Sequence, residues 1–355
     1  MTQSPLQSTP APAHATPAAG AARRAGEAGE SGQVLDLLCI GNAIVDMLVQ
    51  ATPELLAEFG ATPGSMTLID TPTMERLQKK VRVDRVAGGG SAANTAVVAA
   101  RMGLSTGFLG TVADDAAGSD FARDLQAQKV TYPSRDTTRD TSVPTARCLI
   151  LVTPEGERTM FTYLGACVDF TPADVLPDTV AAARVTYLEG YLFDLPQSQA
   201  AFHRAAELAH AAGRQVALTL SDTFCIQRHR EAFRELVRNS VDLLFANEEE
   251  LKALYETDSL EDALARVARD AGVTAVTRGE KGAVVVKGTE RHDVPTQSVR
   301  AVDTTGAGDA FAAGFLAGWA RDRSLADCAD LGNKAAGAVI LQMGARPGDD
   351  FLLRV

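Results

Sequence analysis

The chain has 355 residues, 46% hydrophobic and 22% charged, enough to bury a large core in one big domain or two smaller ones. Its formal net charge of −11 argues against nucleic-acid binding and against an anionic membrane surface as partner. Five cysteines (Cys39, Cys148, Cys167, Cys225, Cys328) form no Cys-x-x-Cys pair, and the odd count fits a reducing, cytoplasmic setting better than a disulfide framework.

Residues 1 to about 33 are rich in Ala, Pro, Thr, Ser and Gly and nearly devoid of large apolar side chains, so they predict a disordered tail without the apolar region of a secretory signal. No later stretch offers the ~20 uninterrupted apolar residues of a membrane span. From Val34 an apolar strand runs to Gly41, and Asn42 to Val49 continues as strand with polar residues at its edge. Met66 to Ile69 reads as a short strand and Thr71 to Val81 as a helix. Gly88-Gly89-Gly90-Ser91 reads as a turn opening a helix from Ala92 to Met102. Strand, turn and helix then alternate: Phe108 to Gly110, a helix near Ser119 to Gln128, and strands at Val185 to Leu188, Gln215 to Leu220, Val241 to Phe245 and Val273 to Val276. That alternation predicts an α/β fold with a mainly parallel central sheet covered on both faces. One region breaks the rhythm. Thr145 to Thr153 and Arg158 to Leu164, joined by Pro154 to Glu157, read as a hairpin. With the strands near Met47 and Met66 (about 44–70 and 145–165) it forms either a small lid sheet or an antiparallel edge of the main sheet.

Several familiar chemistries lack their motifs. There is no Gly-x-x-x-x-Gly-Lys-[Ser/Thr] phosphate loop and no His-Glu-x-x-His or Cys/His cluster for zinc. Gly88-x-Gly90-x-x-Ala93 meets the loose dinucleotide fingerprint but stands some fifty residues past the first strand, where that fingerprint does not belong. The stretch Asp303-Thr304-Thr305-Gly306-Ala307-Gly308-Asp309 has a different chemistry. Its glycines allow successive backbone N–H groups to face one cavity, the apolar run after Asp309 begins a helix, and a helix start favours anions. Asp309 there either caps the helix or accepts a proton from a hydroxyl that attacks a phosphoryl group on those amides. Asn247-x-x-Glu250 has the pattern of a capping box, and Thr277 to Gly282 that of a hairpin turn. Phe161, Tyr163, Phe193 and Phe224 are either purine-stacking or core residues.

Taken together, Gly89-Gly90-Ser91-Ala92-Ala93-Asn94, Asn247-Glu248-Glu249-Glu250 and Asp303 to Asp309 resemble, in order and spacing, the PfkB or ribokinase-like family of sugar and nucleoside kinases over about residues 34 to 347. Gly41 to Asp46, Ser221 to Cys225 and Gly344-Ala345-Arg346-Pro347 are most similar to its bacterial adenosine-kinase-like branch. The resemblance implies a ribokinase-like three-layer α/β/α sandwich over 34–355 with a small β-sheet lid. It implies ATP-dependent phosphorylation of a nucleoside 5′-hydroxyl, adenosine first, with ribose, fructose, inosine or guanosine as alternative acceptors, by a monomer or a homodimer joined through the lid strands. Asp309 would be the catalytic base, and Gly306, Ala307 and Gly308 the anion cradle. Asp46 and Asn94 would bind the ribose hydroxyls, with Asn42, Gly90 and Ser91 in the same pocket. Thr277, Gly279, Gly282, Asn247 and Asn333 would meet ATP, and Glu250 with Asn247 would hold Mg²⁺ partly through water. Asp303 and Thr305 would hold a monovalent cation such as K⁺. A binding protein that kept the fold and lost turnover is the reading from another class, and the intact Asp309, Glu250 and glycines speak against it.

Overall fold

A computed structural model describes residues 34–133, 138–139, 142–153, 158–348 and 351–355. The expected tail over 1–33 and the hairpin turn 154–157 lie outside the described residues. Short apolar strands with glycine or polar residues at their ends stack into a nine-stranded sheet. Its spatial order is Glu290–Val294, Ala283–Lys287, Val273–Thr277, Leu243–Asn247, Gln215–Thr219, Ala183–Glu189, Leu35–Ile40, Thr106–Leu109, Val130–Thr131. The pairings are parallel except for the two that add Ala283–Lys287 and Glu290–Val294 at one edge.

Alternation along each strand sends side chains to two cores. Leu37 and Cys39 face the helices Ser91–Arg101, Ala307–Trp319 and Leu325–Val339, while Leu38 and Ile40 face Pro196–Ala211, Thr223–Ser240, Glu248–Tyr255 and Leu260–Asp270. A sheet buried on both faces between helices is the three-layer sandwich expected from the βαβ rhythm. The ends of its strands at Ile40, Glu189, Thr219, Asn247 and Thr277 lie along one edge, in register through the parallel pairings. Ligands of open α/β sheets bind outside such carboxyl ends.

The hairpin belongs to a second sheet, not to an edge of the first. Five strands run Met66–Leu68, Arg158–Tyr163, Ala146–Val152, Ile44–Gln50, Arg85–Gly89. This smaller sheet has its own core, in which Met47, Val49, Leu149, Leu151, Phe161 and Tyr163 pack against Leu56 of helix Pro53–Glu58 and Met74 and Leu77 of helix Thr71–Lys80. Its other face carries Cys148, Ile150, Val152 and Met160, with Asp46 directly beside Cys148. The strand Arg85–Gly89 corrects the expectation of a turn from Gly88. Gly88 and Gly89 pair antiparallel with Val45 and Ile44, and only Gly90 turns the chain into the helix. Glycine clears the space here, since a Cβ on Gly89 would collide with the Asp46 carboxyl.

Candidate active site

The helix Ala307–Trp319 starts at Gly306, whose φ of +76° places it in the left-handed region and whose side no residue caps. A side chain there would press into the backbone of Ala345. Ala307 N–H donates to the Thr304 carbonyl at 3.2 Å, whereas the amides of Gly308 and Asp309 have no partner among the described residues. Of the expected cradle of Gly306, Ala307 and Gly308, the Ala307 amide is thus spent within the turn, and the free N–H groups of Gly308 and Asp309 at the positive end of the helix are the ones placed to suit an anion.

Asp309, the third residue of this helix, reaches across to the start of the helix Ser91–Arg101. Ser91 Oγ donates to its Oδ1 at 2.6 Å and Asn94 Nδ2 to its Oδ2 at 3.1 Å. Burial pushes its carboxyl up to about 6, against the lowering effect of the Ser91 and Asn94 bonds and of Arg346. It is thus more basic than the ordinary carboxylate that a helix start alone predicts, yet mostly ionised at neutral pH. Asp46, on the smaller sheet, is likewise raised to about 6 by burial, with Arg346 and Arg158 opposing and Asp124 and Asp309 reinforcing. Asn42, Asp46, Gly90, Ser91 and Asn94 therefore come together around Asp309, but in different capacities. Asn42 is buried and donates to Glu189 Oε1 at 2.9 Å, and Gly90 rests its α-carbon against the Asn42 carbonyl.

Glu189 is a central residue that the sequence reading misses. It ends the strand Ala183–Glu189, is 1% exposed, and accepts the Ala92 N–H at 2.8 Å. It thereby caps the helix Ser91–Arg101, whose own N-cap, Gly90 at φ +90°, has no side chain to do so. Burial raises its carboxyl to about 7. The only signal was a lone acid closing an apolar strand. A protein carboxylate on this helix start leaves no place for a pyrophosphate, which removes the dinucleotide reading of Gly88 to Ala93.

On the other side of the cradle a cavity of about 410 Å³ is lined by Thr277, Gly279, Gly282, Ala307, Gly308 and Asn333 among others. It gathers residues expected to meet ATP from three separate stretches. Asn333 is also used structurally, since its Nδ2 donates to the carbonyls of Val294 and Pro295. Asn247 and Glu250 are bonded to each other as a reciprocal capping box. Asn247 Oδ1 accepts the Glu250 N–H at 2.8 Å, and the Glu250 carboxylate accepts Asn247 N–H and Nδ2 at 3.0 and 2.6 Å. Each Glu250 oxygen keeps a lone pair, so the pair fits a hydrated Mg²⁺ but not direct encirclement. No group of three or more His, Cys, Asp or Glu among the described residues could hold a metal ion.

Asp303 and Thr305 do not match the cation expectation. Asp303 Oδ1 accepts Thr305 N–H and Oγ at 3.0 and 2.7 Å, Oδ2 accepts Gly344 N–H at 2.7 Å, and the Arg158 guanidinium from the smaller sheet closes a buried ion pair on Oδ2. Arg158 also donates to Thr305 Oγ at 3.2 Å. A guanidinium already supplies the positive charge there, and the carboxylate has spent its acceptors, so these residues do not fit K⁺ as well.

Three of the four aromatic candidates are core. Phe161 packs edge-on to Phe59, Phe193 lies 4.5 Å from Phe233 between ring centres, and Tyr163 is buried in the smaller sheet. Phe224, 67% exposed, remains at the helix start after strand Gln215–Thr219. Tyr191, two residues past Glu189 and 38% exposed, was not anticipated; desolvation of its hydroxyl and the negative charges of Asp222, Asp309 and Glu250 push its phenol well above the ordinary range.

The match to known proteins agrees with this geometry. Adenosine kinase of Saccharomyces cerevisiae is 30% identical over 335 residues, covering 87% of this chain and 95% of that protein. The crystal structure of adenosine kinase from Sinorhizobium meliloti superposes with a TM-score of 0.81 at 48% identity, covering 88% of this chain and 96% of that one. A probable sugar kinase from Rhizobium etli CFN 42 superposes with a TM-score of 0.82 at 46% identity, covering 89% and 96%. The family model for the pfkB family carbohydrate kinases matches residues 56–350, and the chain belongs to that family.

Proposed function

We propose that this protein transfers the γ-phosphoryl group of ATP to the 5′-hydroxyl of adenosine, giving AMP and ADP, a purine-salvage reaction of the cytoplasm. The observation that carries the phosphotransfer is the position of Asp309, bonded to Ser91 and Asn94 on one side and set at the helix start that opens onto the 410 Å³ cavity on the other. The acceptor rests on the 48% identity to the Sinorhizobium meliloti adenosine kinase. Tyr191, 38% exposed, offers an aromatic ring near these carboxylates, which fits a purine better than a bare sugar. The cytoplasmic setting rests on five free, buried cysteines.

In this scheme Asp309 takes the hydroxyl proton as the oxygen attacks phosphorus. Asp46 and Asn94 hold the ribose diol, with Ser91 fixing the carboxylate of Asp309. The Gly308 and Asp309 amides stabilise charge on the transferred group, a contribution of several kcal/mol if it resembles other preorganised anion holes. Thr277, Gly279, Gly282 and Asn333 border the nucleotide. Glu250 and Asn247 would hold a hydrated Mg²⁺, which would supply neutralisation of the phosphate oxygens. The smaller sheet acts as a lid that excludes water, so that ATP is not spent on hydrolysis.

A sugar kinase is the second reading, favoured by the 46% identity to the Rhizobium etli protein. ADP release measured with adenosine, inosine, guanosine, ribose and fructose separates the two. Turnover confined to free sugars would replace the adenosine reading, and binding without turnover on any acceptor would remove the kinase reading itself.

A further inference from the structure

The stretch Gly344-Ala345-Arg346-Pro347 has no role in the scheme above, yet it is anchored at the site. Arg101, at the far end of the Ser91–Arg101 helix, donates from Nη1 to the carbonyls of Pro347 and Gly348 at 2.8 Å each, and Gln342 Nε2 donates to the Arg346 carbonyl at 2.8 Å. Those bonds deliver the Arg346 side chain, 14% exposed, into the space between the smaller sheet and the Asp309 helix. Its Nη1 is ion-paired with Asp124 of the helix Ala116–Ala127, and its Nε donates to Asn94 Oδ1 at 2.9 Å. Nη2 is buried without a partner among the described residues, next to Gly88, where a Cβ would stand 3.1 Å from it.

The bond to Asn94 decides which way that amide points. An amide has one acceptor end and one donor end, and a flipped Asn94 would set its carbonyl oxygen against the Asp309 carboxylate. With Oδ1 held by a guanidinium that can only donate, Nδ2 must face Asp309 Oδ2, where it lies at 3.1 Å. A continuous line results, Asp124 to Arg346 to Asn94 to Asp309, joining four segments of the chain. The positive charge of Arg346 also favours the ionised forms of Asp46 and Asp309, which supports the same direction of effect.

We infer that Arg346 is a positioning residue for phosphoryl transfer, holding the Asn94 amide so that its N–H fixes Asp309 toward the acceptor hydroxyl. The inference rests on the reading of Asp309 as the base. It assigns Asp124 the task of fixing the guanidinium plane, and it gives Nη2, next to Gly88, as a spare donor for an acceptor oxygen.

The test is steady-state kinetics of the full chain with ATP and adenosine, or the acceptor selected by the ADP-release assay, for wild type, Arg346→Met, Arg346→Lys, Asn94→Ala and the Asn94→Ala/Arg346→Met pair. Arg346→Met lowers kcat by about 10- to 100-fold and raises the acceptor KM while leaving the ATP KM within about twofold, because the misaligned pair is on the acceptor side. Arg346→Lys, which keeps the charge but not the planar fork, recovers part of that loss. In the pair, the second substitution adds less than about threefold to the loss from Asn94→Ala, since both remove one connected interaction. The inference is overturned by kcat within twofold of wild type in Arg346→Met, by full additivity in the pair, or by ATP and acceptor KM rising together with a lower melting temperature. If Arg346→Met does not fold, Arg346→Lys and its pair with Asn94→Ala carry the same comparison. Asp309→Asn is run alongside: turnover there removes the base reading and this inference with it, whereas loss of turnover there with a normal Arg346→Met overturns the inference alone.

Discussion

Two helices begin alike and end up doing opposite things. Ser91–Arg101 and Ala307–Trp319 both start after a glycine of positive φ, Gly90 and Gly306, and neither has a side-chain cap of its own. At the first, the Glu189 carboxylate, 97 residues away in the chain, takes the Ala92 amide. At the second, the Gly308 and Asp309 amides have no partner among the described residues, and Gly308 lines the 410 Å³ cavity. The first start is closed by a carboxyl oxygen of the protein itself and serves as scaffold. The second keeps its amides unspent, as the proposed phosphate site requires. Local sequence makes both starts equivalent, and the difference is made by which strand end faces each.

Three substitutions break or sharpen that contrast, beyond the Arg346 series. The largest effect is expected from Asp309→Asn at the open start, which keeps shape and hydrogen bonding but not basicity. We expect kcat to fall by about 10²- to 10⁴-fold with the ATP KM little changed, measured by ADP release. In wild type the same group, raised to about 6, makes kcat/KM for the acceptor decline as pH drops through that value, because the base is then protonated. A flat profile down to pH 5 would detach the rate from Asp309.

Glu189→Gln tests the closed start through stability. The folded carboxyl titrates at about 7 against 4.5 for the free group, so the folded state holds a proton that the unfolded state releases between those values. Wild-type stability therefore falls as pH rises from 4.5 to 7, by at most about 3 kcal/mol from this group. Glutamine cannot titrate, so the stability difference between wild type and variant shifts across that window, while Asp46 and Asp309 titrate in both and cancel. Urea unfolding at pH 5 and pH 7.5 reads it, and parallel pH dependences would show that burial does not hold this carboxyl neutral.

The smallest effect is expected at Gly308. A Cβ there meets nothing within 4 Å, so the fold tolerates a side chain, but Gly308 lines the 410 Å³ cavity, where the proposed phosphate site lies. Gly308→Val leaves the melting temperature within a few degrees and lowers kcat/KM for ATP by about tenfold or more. Equal loss of stability and activity would mean that the open amides are scaffold too.

Much of this was legible because the cradle is contiguous. Asp303 to Asp309 places the left-handed glycine, the free amides and the acid within seven residues, so their pattern survives in the sequence. The βαβ alternation likewise predicts the two-faced sheet, because parallel strands must be apolar on both sides. What escaped is what single residues do across the fold. Glu189 reads as the polar end of a strand, Arg158 as one side of a hairpin turn, and Arg346 only as a member of the Gly344 to Pro347 motif, yet each reaches a partner more than ninety positions away. The strand Arg85–Gly89 escaped for a different reason. Its glycines resemble a turn, whereas their function is to leave room for Asp46 against the neighbouring strand. The aromatic candidates failed because a hydrophobic ring in a strand satisfies the core as readily as a ligand, and only Phe224 lies on the surface.

The smaller sheet has its own hydrophobic core, built from Met47, Leu149, Phe161 and the two short helices, while the cradle and the nucleotide cavity stand on the main sheet. Few chain passages join them, at Gly41 to Ala43, Gly90, Thr145 and Leu164. Packing changes in one core are then felt weakly in the other, as for distant sites whose free energies add. The two bodies of packing can therefore be altered separately, and only the side chains that reach across, such as Arg158 to Asp303, tie a change in one to the other.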